Sequence, residues 1–434
     1  MKARERHPSA DRPRHGRLAA LADRNLRLFF AGQLTSMTGS SMSALAVTFA
    51  VLESGGDQSD LGYVLAVRIV PLVALMLVGG VVADRFGPRR VMVAADLLQC
   101  LVQALFAAAL LLGRPPIVLF AALVTLWGVG EAFALPARGA LIPRVAACGE
   151  QYDGKLRDAN ALSGLAQSVS AVAGPALGGL AVAAVGSGMV LLLDAATYLV
   201  SAAALLLLRL PAGPAARTAE REKGMIRTGW RHFASRTWLW VTTLHYTLFN
   251  LLVWAPFLVL GPVVAHQGMG GARDWGLIMG CYGAGAIAGG LLLVGGRVLR
   301  RPLVVATAAT FGYALPPAAL AIAAPLAVTA AAALAAGAGS AVSQALYATA
   351  NQQHIPAEAL ARVTSLAAVG AFTLGPLGLA AAGPVADVVG IAAVLGVGAA
   401  CQLAMVASVL AVPAVRGLRS PSPRTADGLV ESPR

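Results

Sequence analysis

The chain has 434 residues, of which 58% are hydrophobic and 12% are charged, whereas a soluble domain has about 25% charged residues. This composition excludes a water-soluble globular protein, and a mean hydropathy of +0.73 is too high for one apolar anchor of about 20 residues. The net charge of +13 would suit a nucleic-acid surface, but the positions of the basic residues indicate a membrane topology and no nucleic-acid partner. The four cysteines lie far apart without metal-ligand spacing, so we expect free thiols and no metal.

Twelve apolar runs follow one another along the chain, each long enough to cross a bilayer as a helix. A window of about 19 residues places these spans near 26–51, 61–83, 89–112, 116–142, 159–185, 188–208, 238–264, 274–296, 302–323, 326–350, 363–386 and 390–412. The sequence therefore predicts an all-α, polytopic membrane protein with twelve transmembrane helices.

The spans form two sets of six, separated by a charged segment that contains Gly and Pro. Matching marks recur in the two sets: Gly174-Pro175 lies in span 5, and Gly375-Pro376 lies in span 11. This recurrence predicts two pseudo-symmetric bundles, which transporters use for alternating access. The predicted organisation is an N-terminal tail, a bundle, a linker, a second bundle and a C-terminal tail, at residues 1–24, 25–209, 210–236, 237–415 and 416–434.

The basic residues predict the orientation. If both termini are cytoplasmic, 30 of the 33 Lys and Arg residues lie on the cytoplasmic side, and only Arg68, Arg114 and Arg273 do not. Lys and Arg accumulate in cytoplasmic loops, so we expect both termini inside the cell. The Ala-, Gly- and Arg-rich composition favours a bacterial inner membrane.

The hairpin after span 2 reads Gly80-Val81-Val82-Ala83-Asp84-Arg85-Phe86-Gly87-Pro88-Arg89-Arg90. It resembles the loop signature of the major facilitator superfamily, with Pro88 in place of one arginine. Further runs resemble the multidrug and siderophore exporter branch that includes the enterobactin exporters: Ala132-Phe133, Pro136-Ala137-Arg138, Asp158-Ala159-Asn160-Ala161, Gly174-Pro175-Ala176-Leu177-Gly178-Gly179 and Asp194-Ala195-Ala196. The resemblance covers nearly the whole chain and implies the major facilitator fold.

The hairpin supplies a candidate gate at Gly80, Asp84, Arg85, Gly87, Arg89 and Arg90. We expect Gly80 to permit close helix approach and Asp84 to bind the positive N-terminus of another helix. The resemblance implies span 11 as that partner, so Asp84 is a candidate cytoplasmic latch that forms when the cavity opens outward. The alternative is a charged loop that only sets topology. The matching loop after span 8 has Val294 where an acid is expected, so its latch is predicted to be lost.

Span 5 carries small residues at four-residue spacing, together with a proline that should kink the helix. Gly174, Pro175, Gly178 and Gly179 are similar to the signature of family antiporters, although Ser170 stands where that pattern often has glycine. This similarity favours export over uptake. The alternative is ordinary close packing of helices.

Ionisable residues within spans are costly, so each is a functional hypothesis. The proton-coupling candidates are Glu131, Arg68, Asp96 and Asp194. The family fold places spans 1, 4, 7 and 10 around the cavity, which makes Asp96 and Asp194 structural partners and Glu131 in span 4 the first choice. Glu131 could instead be hydrogen-bonded to a neighbouring helix, paired with Arg68, or in contact with water from the cytoplasm.

Two further polar residues receive other roles. We expect Arg138 to anchor lipid headgroups or the loop between spans 4 and 5. His245 is predicted to be a buried histidine with a hydrogen-bond partner, and the arginine that the family often has in span 4 is absent near Val124.

A substrate cavity needs aromatic faces and a few polar groups, and the cavity spans supply such residues. For each one, packing or a lipid-interface position is the alternative. The candidates are Gln33, Met37, Trp127, Phe133, Tyr246, Asn250, Trp254, Gln344 and Tyr347.

No cluster of nucleophiles, metal ligands or paired acids indicates catalytic residues, and no phosphate-binding loop indicates ATP. We therefore predict a transporter without cofactors, driven by the proton gradient, that works as a monomer in the lipid bilayer. Its predicted role is efflux of amphipathic drug-like or secondary-metabolite molecules by alternating access. The alternatives are a nutrient importer and, in another class, a polytopic membrane enzyme or scaffold.

Overall fold

The computed structural model describes residues 23–146, 152–210, 230–231, 233–293 and 299–419. These residues contain helices and no strand, and twelve of the helices are long and apolar enough to cross a membrane. The predicted fold class is confirmed. Most of the two predicted tails, residues 211–229 of the linker, and Val294 lie outside the described residues.

The first six helices alternate in direction and are joined by short connections. Spans 1 to 6 are the helices Arg24–Glu53, Gln58–Phe86, Pro88–Leu112, Ile117–Ala146, Tyr152–Val185 and Ser187–Leu206. Spans 7 to 12 are Thr237–Gly268, Ala272–Leu293, Pro302–Ala321, Leu326–His354, Val369–Val389 and Ile391–Ala411. Span 1 begins and span 12 ends on the same side, here called the terminal end, and the opposite side is called the far end.

Three spans of the second half depart from regular α-helix. Span 7 contains a π-helical turn at Asn250–Trp254, and span 9 contains a 3₁₀ segment at Thr310–Ala314. Span 11 is interrupted just before Pro376: the helix Ala357–Phe372 enters the span and ends in it, and the helix Gly375–Val389 forms the rest. Proline lacks the N–H that would continue the helical ladder. In span 5 the matching Gly174-Pro175 lies within one continuous helix.

Among the described residues, the apolar core joins the two halves at the far end and not at the terminal end. One cluster of buried side chains includes Phe49 of the first half and Trp275 of the second. At the terminal end each half has its own cluster, around Leu141 in the first half and Leu239 in the second. The space between the halves therefore opens toward the terminal end.

Glycines allow spans 5 and 8 to meet across this seam. A Cβ added at Gly179 would lie 2.8 Å from the Cα of Gly276, and one added at Gly283 would lie 2.7 Å from the carbonyl oxygen of Ala171. Membrane helices gain van der Waals contact where small residues bring their backbones together. The seam thus depends on positions that have no room for a side chain.

At the terminal end, Asp23 connects spans 1 and 5. Its carboxylate accepts hydrogen bonds from the backbone N–H groups of Asn25 and Leu26 and from Lys155 Nζ, at 2.9, 3.2 and 2.8 Å. Burial alone would raise the pKa of Asp23, but the bonds from Lys155 and the two backbone groups outweigh it and hold that pKa below its usual value. Asp23 is therefore charged at neutral pH and stabilises the start of span 1.

The far end also carries a polar contact between the halves, and it converges on one carboxylate. Asp387 in span 11 accepts hydrogen bonds from Gln58 Nε2 at 2.5 Å and Ser59 Oγ at 3.0 Å, both at the start of span 2. Gly383, one turn earlier, packs so closely on Ser59 that an added Cβ would lie 2.5 Å from its nitrogen. The carboxylate therefore holds spans 2 and 11 together at this end.

Replacing Asp387 by alanine is expected to loosen the far end, because the change removes both hydrogen bonds, each worth about 0.5–1.5 kcal/mol. Electron paramagnetic resonance on labels at cysteines replacing the exposed Arg114 and Ile322 will measure the separation of the halves there. We expect the widely separated population to rise roughly fivefold or more. Asp274→Ala is the control, since Asp274 accepts a bond from Gly270 of its own half; equal effects of the two changes would contradict the assignment.

Candidate functional site

The site in the first half begins with close packing of spans 2 and 4. A Cβ added at Gly128 would lie 3.1 Å from Pro71 Cγ, and one added at Gly79 would lie 3.1 Å from the Cα of Phe133. The close approach was predicted at Gly80, and this is wrong, because a Cβ at Gly80 would have its nearest neighbour 4.0 Å away. Side chains at the same depth of spans 2 and 4 are consequently brought into contact.

Arg68 in span 2 and Glu131 in span 4 form a bidentate ion pair. Arg68 Nε donates to Glu131 Oε2 at 3.0 Å and an Arg68 Nη donates to Oε1 at 2.7 Å, with 22% of each side chain exposed. The guanidinium lies over the ring of Trp127 at 3.7 Å from its centroid, and Trp127 donates to the hydroxyl of Tyr198 at 3.1 Å. Of the alternatives that the sequence left open for Glu131, the structure shows the pairing with Arg68.

This ion pair lines a cavity of about 330 Å³ within the first bundle. Arg138 was predicted to lie at the headgroups, and this is wrong because span 4 continues to Ala146, two turns further. Arg138 lies on the cavity wall instead. The lining residues are Ser36, Met37, Ser40, Ser41, Ala44, Arg68, Gln99, Glu131, Ala134, Leu135, Arg138, Gln167, Ser170, Ala171 and Tyr198.

Asp96 and Asp194 connect spans 3 and 6 and do not line this cavity. Asp96 in span 3 accepts a hydrogen bond from Ser201 in span 6 at 2.7 Å. Asp194 in span 6 accepts from Gln103 in span 3 at 3.0 Å and from Thr197 at 2.9 Å. Both side chains are buried, and their hydrogen bonds hold spans 3 and 6 together.

The second half has a larger cavity, of about 800 Å³. All five candidate residues of this half line it: Tyr246, Asn250, Trp254, Gln344 and Tyr347. The π-helical turn shapes its wall, because Asn250 at the start of that turn donates to the carbonyl oxygens of Tyr246 at 2.9 Å and Ala371 at 3.2 Å. Spans 7 and 11 are thereby fixed on either side of the cavity.

The four candidates of the first half have different surroundings. Met37 lines the smaller cavity. Gln33 is buried and accepts a hydrogen bond from Ser163 at 3.2 Å, and Trp127 is buried beneath Arg68. Phe133 lines a separate groove between spans 2, 3 and 4. Helix membership alone could not distinguish these positions.

His245 is buried beside Gln402, with 3.4 Å between His245 Nε2 and Gln402 Nε2. Gln402 also donates to the carbonyl oxygen of Thr310 at 2.9 Å, where the 3₁₀ segment of span 9 begins. The arrangement agrees with a histidine that packs against a polar neighbour.

The conspicuous run in span 5 presents two faces. Gly174 and Gly178 face span 1, where added Cβ atoms would lie 3.2 Å from Ser41 Oγ and 2.9 Å from the Cα of Met42. Gly179 faces span 8 of the other half, as described above, and the carbonyl oxygen of Pro175 lies close to Gly276. The run therefore combines packing within the first half with contact between the halves.

The hairpin after span 2 turns at Gly87, whose φ of +89° favours glycine, and Pro88 begins span 3. Asp84 is exposed, and no hydrogen bond or ion pair to it occurs within the described part of the chain. Arg85 and Arg90 are also exposed, whereas Arg89 donates to the carbonyl oxygen of Leu206. The candidate latch is thus disengaged while the halves are apart at this end.

The molecule has twelve spans in two bundles, and its cavities carry an intramembrane ion pair and an aromatic wall. These features define a membrane transporter of the major facilitator type. A family model described as transmembrane secretion effector matches residues 15–427. The chain belongs to this family. The resemblance noted in its motifs is thereby confirmed.

Curated relatives are similar over most of their length. The multidrug efflux pump Tap of Mycolicibacterium fortuitum is 25% identical over 379 residues, covering 84% of this chain and 90% of the relative. Tap of Mycobacterium tuberculosis strain H37Rv is 25% identical over 385 residues, covering 84% and 87%.

Solved structures agree in fold. The nucleoside transporter NupG aligns with a TM-score of 0.68 at 12% identity, covering 90% of this chain and 98% of that one. A bacterial homolog of the human lysosomal transporter Spinster, inward-facing and unoccupied, aligns with a TM-score of 0.60 at 12% identity, covering 91% and 95%. At these identities the likeness concerns the fold alone.

A double substitution tests whether the ion pair stabilises the first half. Arg68→Gln leaves the Glu131 carboxylate without its partner, and an unpaired buried polar group costs about 1–3 kcal/mol. We expect the melting temperature of the purified protein to fall by several degrees. In Arg68→Gln/Glu131→Gln two neutral amides face each other, so part of the loss should be recovered. A double variant that melts as low as the sum of the two single changes would mean that the pair is not coupled.

Proposed function

We propose that this transporter exports amphipathic small molecules from the bacterial cytoplasm in exchange for protons. The observation that carries the proposal is the Arg68–Glu131 pair, half-buried on the wall of a cavity. Its carboxylate holds an arginine through two charge-assisted hydrogen bonds when ionised, and protonation removes the negative charge and weakens that pairing. Protonation of Glu131 can therefore change the packing of spans 2 and 4.

The proposed cycle uses both ends of the molecule. In the described conformation the far end is closed by the spans 5 and 8 seam and by Asp387, and the halves are apart at the terminal end. The placement of Lys and Arg supports a cytoplasmic terminal end, which makes this conformation inward-open. Substrate would enter from the cytoplasm, and the far end would open to release it.

Protonation of Glu131 from outside, and release of that proton to the cytoplasm, would drive the return. A neutral Glu131 can still accept a hydrogen bond from Arg68, but it no longer neutralises the charge of the guanidinium over Trp127. That change in charge alters the balance between conformations in which the cavity is exposed to different sides, as any coupled switch requires. The family run in span 5 and the relatives named as multidrug efflux pumps support the outward direction.

Inside-out membrane vesicles with an acidified lumen test this proposal on a varied panel of fluorescent amphipathic compounds. We expect wild-type vesicles to load at least one compound and to lose it when a protonophore is added. Glu131→Gln should abolish gradient-driven loading, because glutamine cannot carry a proton. Glu53→Gln, which changes a far-end acid outside the cavity, is the matched control. Loading only in right-side-out vesicles would indicate an importer, and equal gradient-driven loading by Glu131→Gln would remove that residue from coupling.

We further propose that Asp84 latches the cytoplasmic side once the halves close there, by binding the N-terminus of the helix that begins span 11. An interaction of this kind is worth about 0.3–2 kcal/mol. Asp84→Asn should therefore slow transport roughly two- to thirtyfold and increase the inward-open population in resonance distance measurements. Asp84→Glu keeps the charge and should retain most of the rate. Unchanged transport and conformation in Asp84→Asn would leave the hairpin with a topological role only.

A further inference from the structure

The two cavities divide the chemistry of the site between them. None of the residues that line the 800 Å³ cavity of the second half, within the described part of the chain, is acidic or basic. Its wall is built from aromatic rings together with neutral amides and hydroxyls. The formal charges lie on the smaller cavity of the first half, where Arg68, Glu131 and Arg138 are found.

The aromatic wall is a connected set of rings. Phe249 stacks on Tyr313 with 4.4 Å between centroids and lies 6.4 Å from Tyr246. Trp254 lies 6.2 Å from Phe249 and 5.4 Å from Tyr282. Rings fixed by one another present faces suited to a flat aromatic ligand, with little loss of entropy on binding.

Hydroxyl contacts hold this wall in place. Tyr246 Oη lies 2.7 Å from Ser343 Oγ, and Tyr347 Oη lies 3.1 Å from Thr242 Oγ1. These neutral partners fix the rings without placing a carboxylate near them. An aromatic cage can bind a cation through its ring faces, so the charge of the opposite wall decides which ligand charge is favoured.

The cavity of the first half is lined by Arg138, whose guanidinium has unused hydrogen-bond donors. No hydrogen bond from its guanidinium occurs among the described residues, and its Nε is fully buried without an acceptor. The carboxylates of Asp96 and Glu131 are within electrostatic range, but neither is hydrogen-bonded to Arg138. Asp96 is buried and accepts from Ser201 outside the cavity lining. Arg68 is already committed to Glu131. Arg138 is therefore a cavity-lining cation with no hydrogen-bond acceptor among the described residues. Because its Nε is fully buried, an anion would bind its two terminal Nη groups, whose planar geometry matches a carboxylate.

The two cavities adjoin where spans 5 and 8 cross. Ala171 lines the cavity of the first half, and Tyr282 lines the cavity of the second. Gly283, next to Tyr282, packs against the carbonyl oxygen of Ala171. This backbone contact closes the crossing itself, so a single molecule that reaches both cavities would pass on its terminal side, where the halves are apart.

We propose that the transported molecule is an aromatic anion whose rings enter the cavity of the second half and whose anionic group binds Arg138. This inference rests on the proposed function, since it names the class of substrate for the same site. It assigns recognition of charge to Arg138 and leaves Glu131 to the proton. A lipophilic cation would meet Arg138 without a free carboxylate to offset it.

Binding of two dyes with one three-ring skeleton tests the proposal on the purified full-length protein in an uncharged detergent. Fluorescein is an anion at mildly alkaline pH, and a cationic rhodamine ester carries the opposite charge. Fluorescence anisotropy should give at least tenfold tighter binding of fluorescein. Arg138→Gln should weaken fluorescein binding about tenfold and leave rhodamine binding unchanged, whereas Arg138→Lys should restore part of the affinity. Arg144→Gln, on the same span but outside the cavity lining, should change neither.

Tryptophan fluorescence tests where the rings of the bound dye lie. Bound fluorescein should quench tryptophan fluorescence, and Trp254→Phe should reduce that quenching. If Arg138→Gln does not fold, competition on the wild type replaces it: naphthoate should displace fluorescein and naphthylmethylammonium should not. Tighter binding of the cationic dye, an equal effect of Arg138→Gln on both dyes, or displacement by the ammonium compound would overturn the proposal.

These outcomes are separate from the test of export. Dye binding requires no gradient and no vesicle, so the predicted binding pattern without proton-driven loading would contradict export and leave the recognition of aromatic anions standing. Proton-driven loading of cations, together with weak fluorescein binding, would contradict recognition and leave export standing.

Discussion

The pairing of Arg68 with Glu131 is the interaction on which the first half depends. Two opposite charges within the bilayer are tolerated because each satisfies the other through two short hydrogen bonds. Gly79 and Gly128 make the pair possible, since side chains there would separate spans 2 and 4. Trp127 completes the arrangement by covering the guanidinium and donating to Tyr198 in span 6. A change in the charge of Glu131 would therefore alter contacts of spans 2, 4 and 6.

The contact between the halves likewise depends on glycines and a small number of polar side chains. Glycines let spans 5 and 8 meet backbone to backbone, so these two spans can separate without pulling side chains out of each other. Asp387 adds hydrogen bonds to Gln58 and Ser59 at the edge of the membrane, where water can replace them when they break. A contact of this kind holds one conformation by a few kcal/mol at most, which suits a transporter that must leave it.

Much of the architecture could be predicted from the sequence because the bilayer imposes it. Twelve apolar runs and a lopsided distribution of Lys and Arg leave few alternative topologies. The five candidates of the second half, including Tyr246 and Trp254, line one cavity, as their helices suggested. In the first half the prediction was weaker, because an α-helix has several faces and membership in span 4 does not distinguish Phe133, in a separate groove, from Glu131.

The remaining features depend on rotation and length of helices, which periodicity does not specify in so apolar a chain. Arg138 was misplaced because span 4 runs further than its apolar stretch. Asp387 was missed because nothing in its own sequence neighbourhood signals Gln58, more than 300 residues away. Gly80 was chosen over Gly79 since two adjacent glycines point to different faces of one helix, and only the packing with span 4 tells them apart.

The central claim is that Glu131 changes its protonation state when the pH changes across the membrane. Infrared difference spectroscopy of the reconstituted protein, recorded between neutral and acidic pH, measures this directly. We predict a band from a newly protonated carboxyl group that is present in the wild type and absent in Glu131→Gln. The same band in both proteins would assign the proton to another acid, such as Asp96 or Asp194, and would contradict the account.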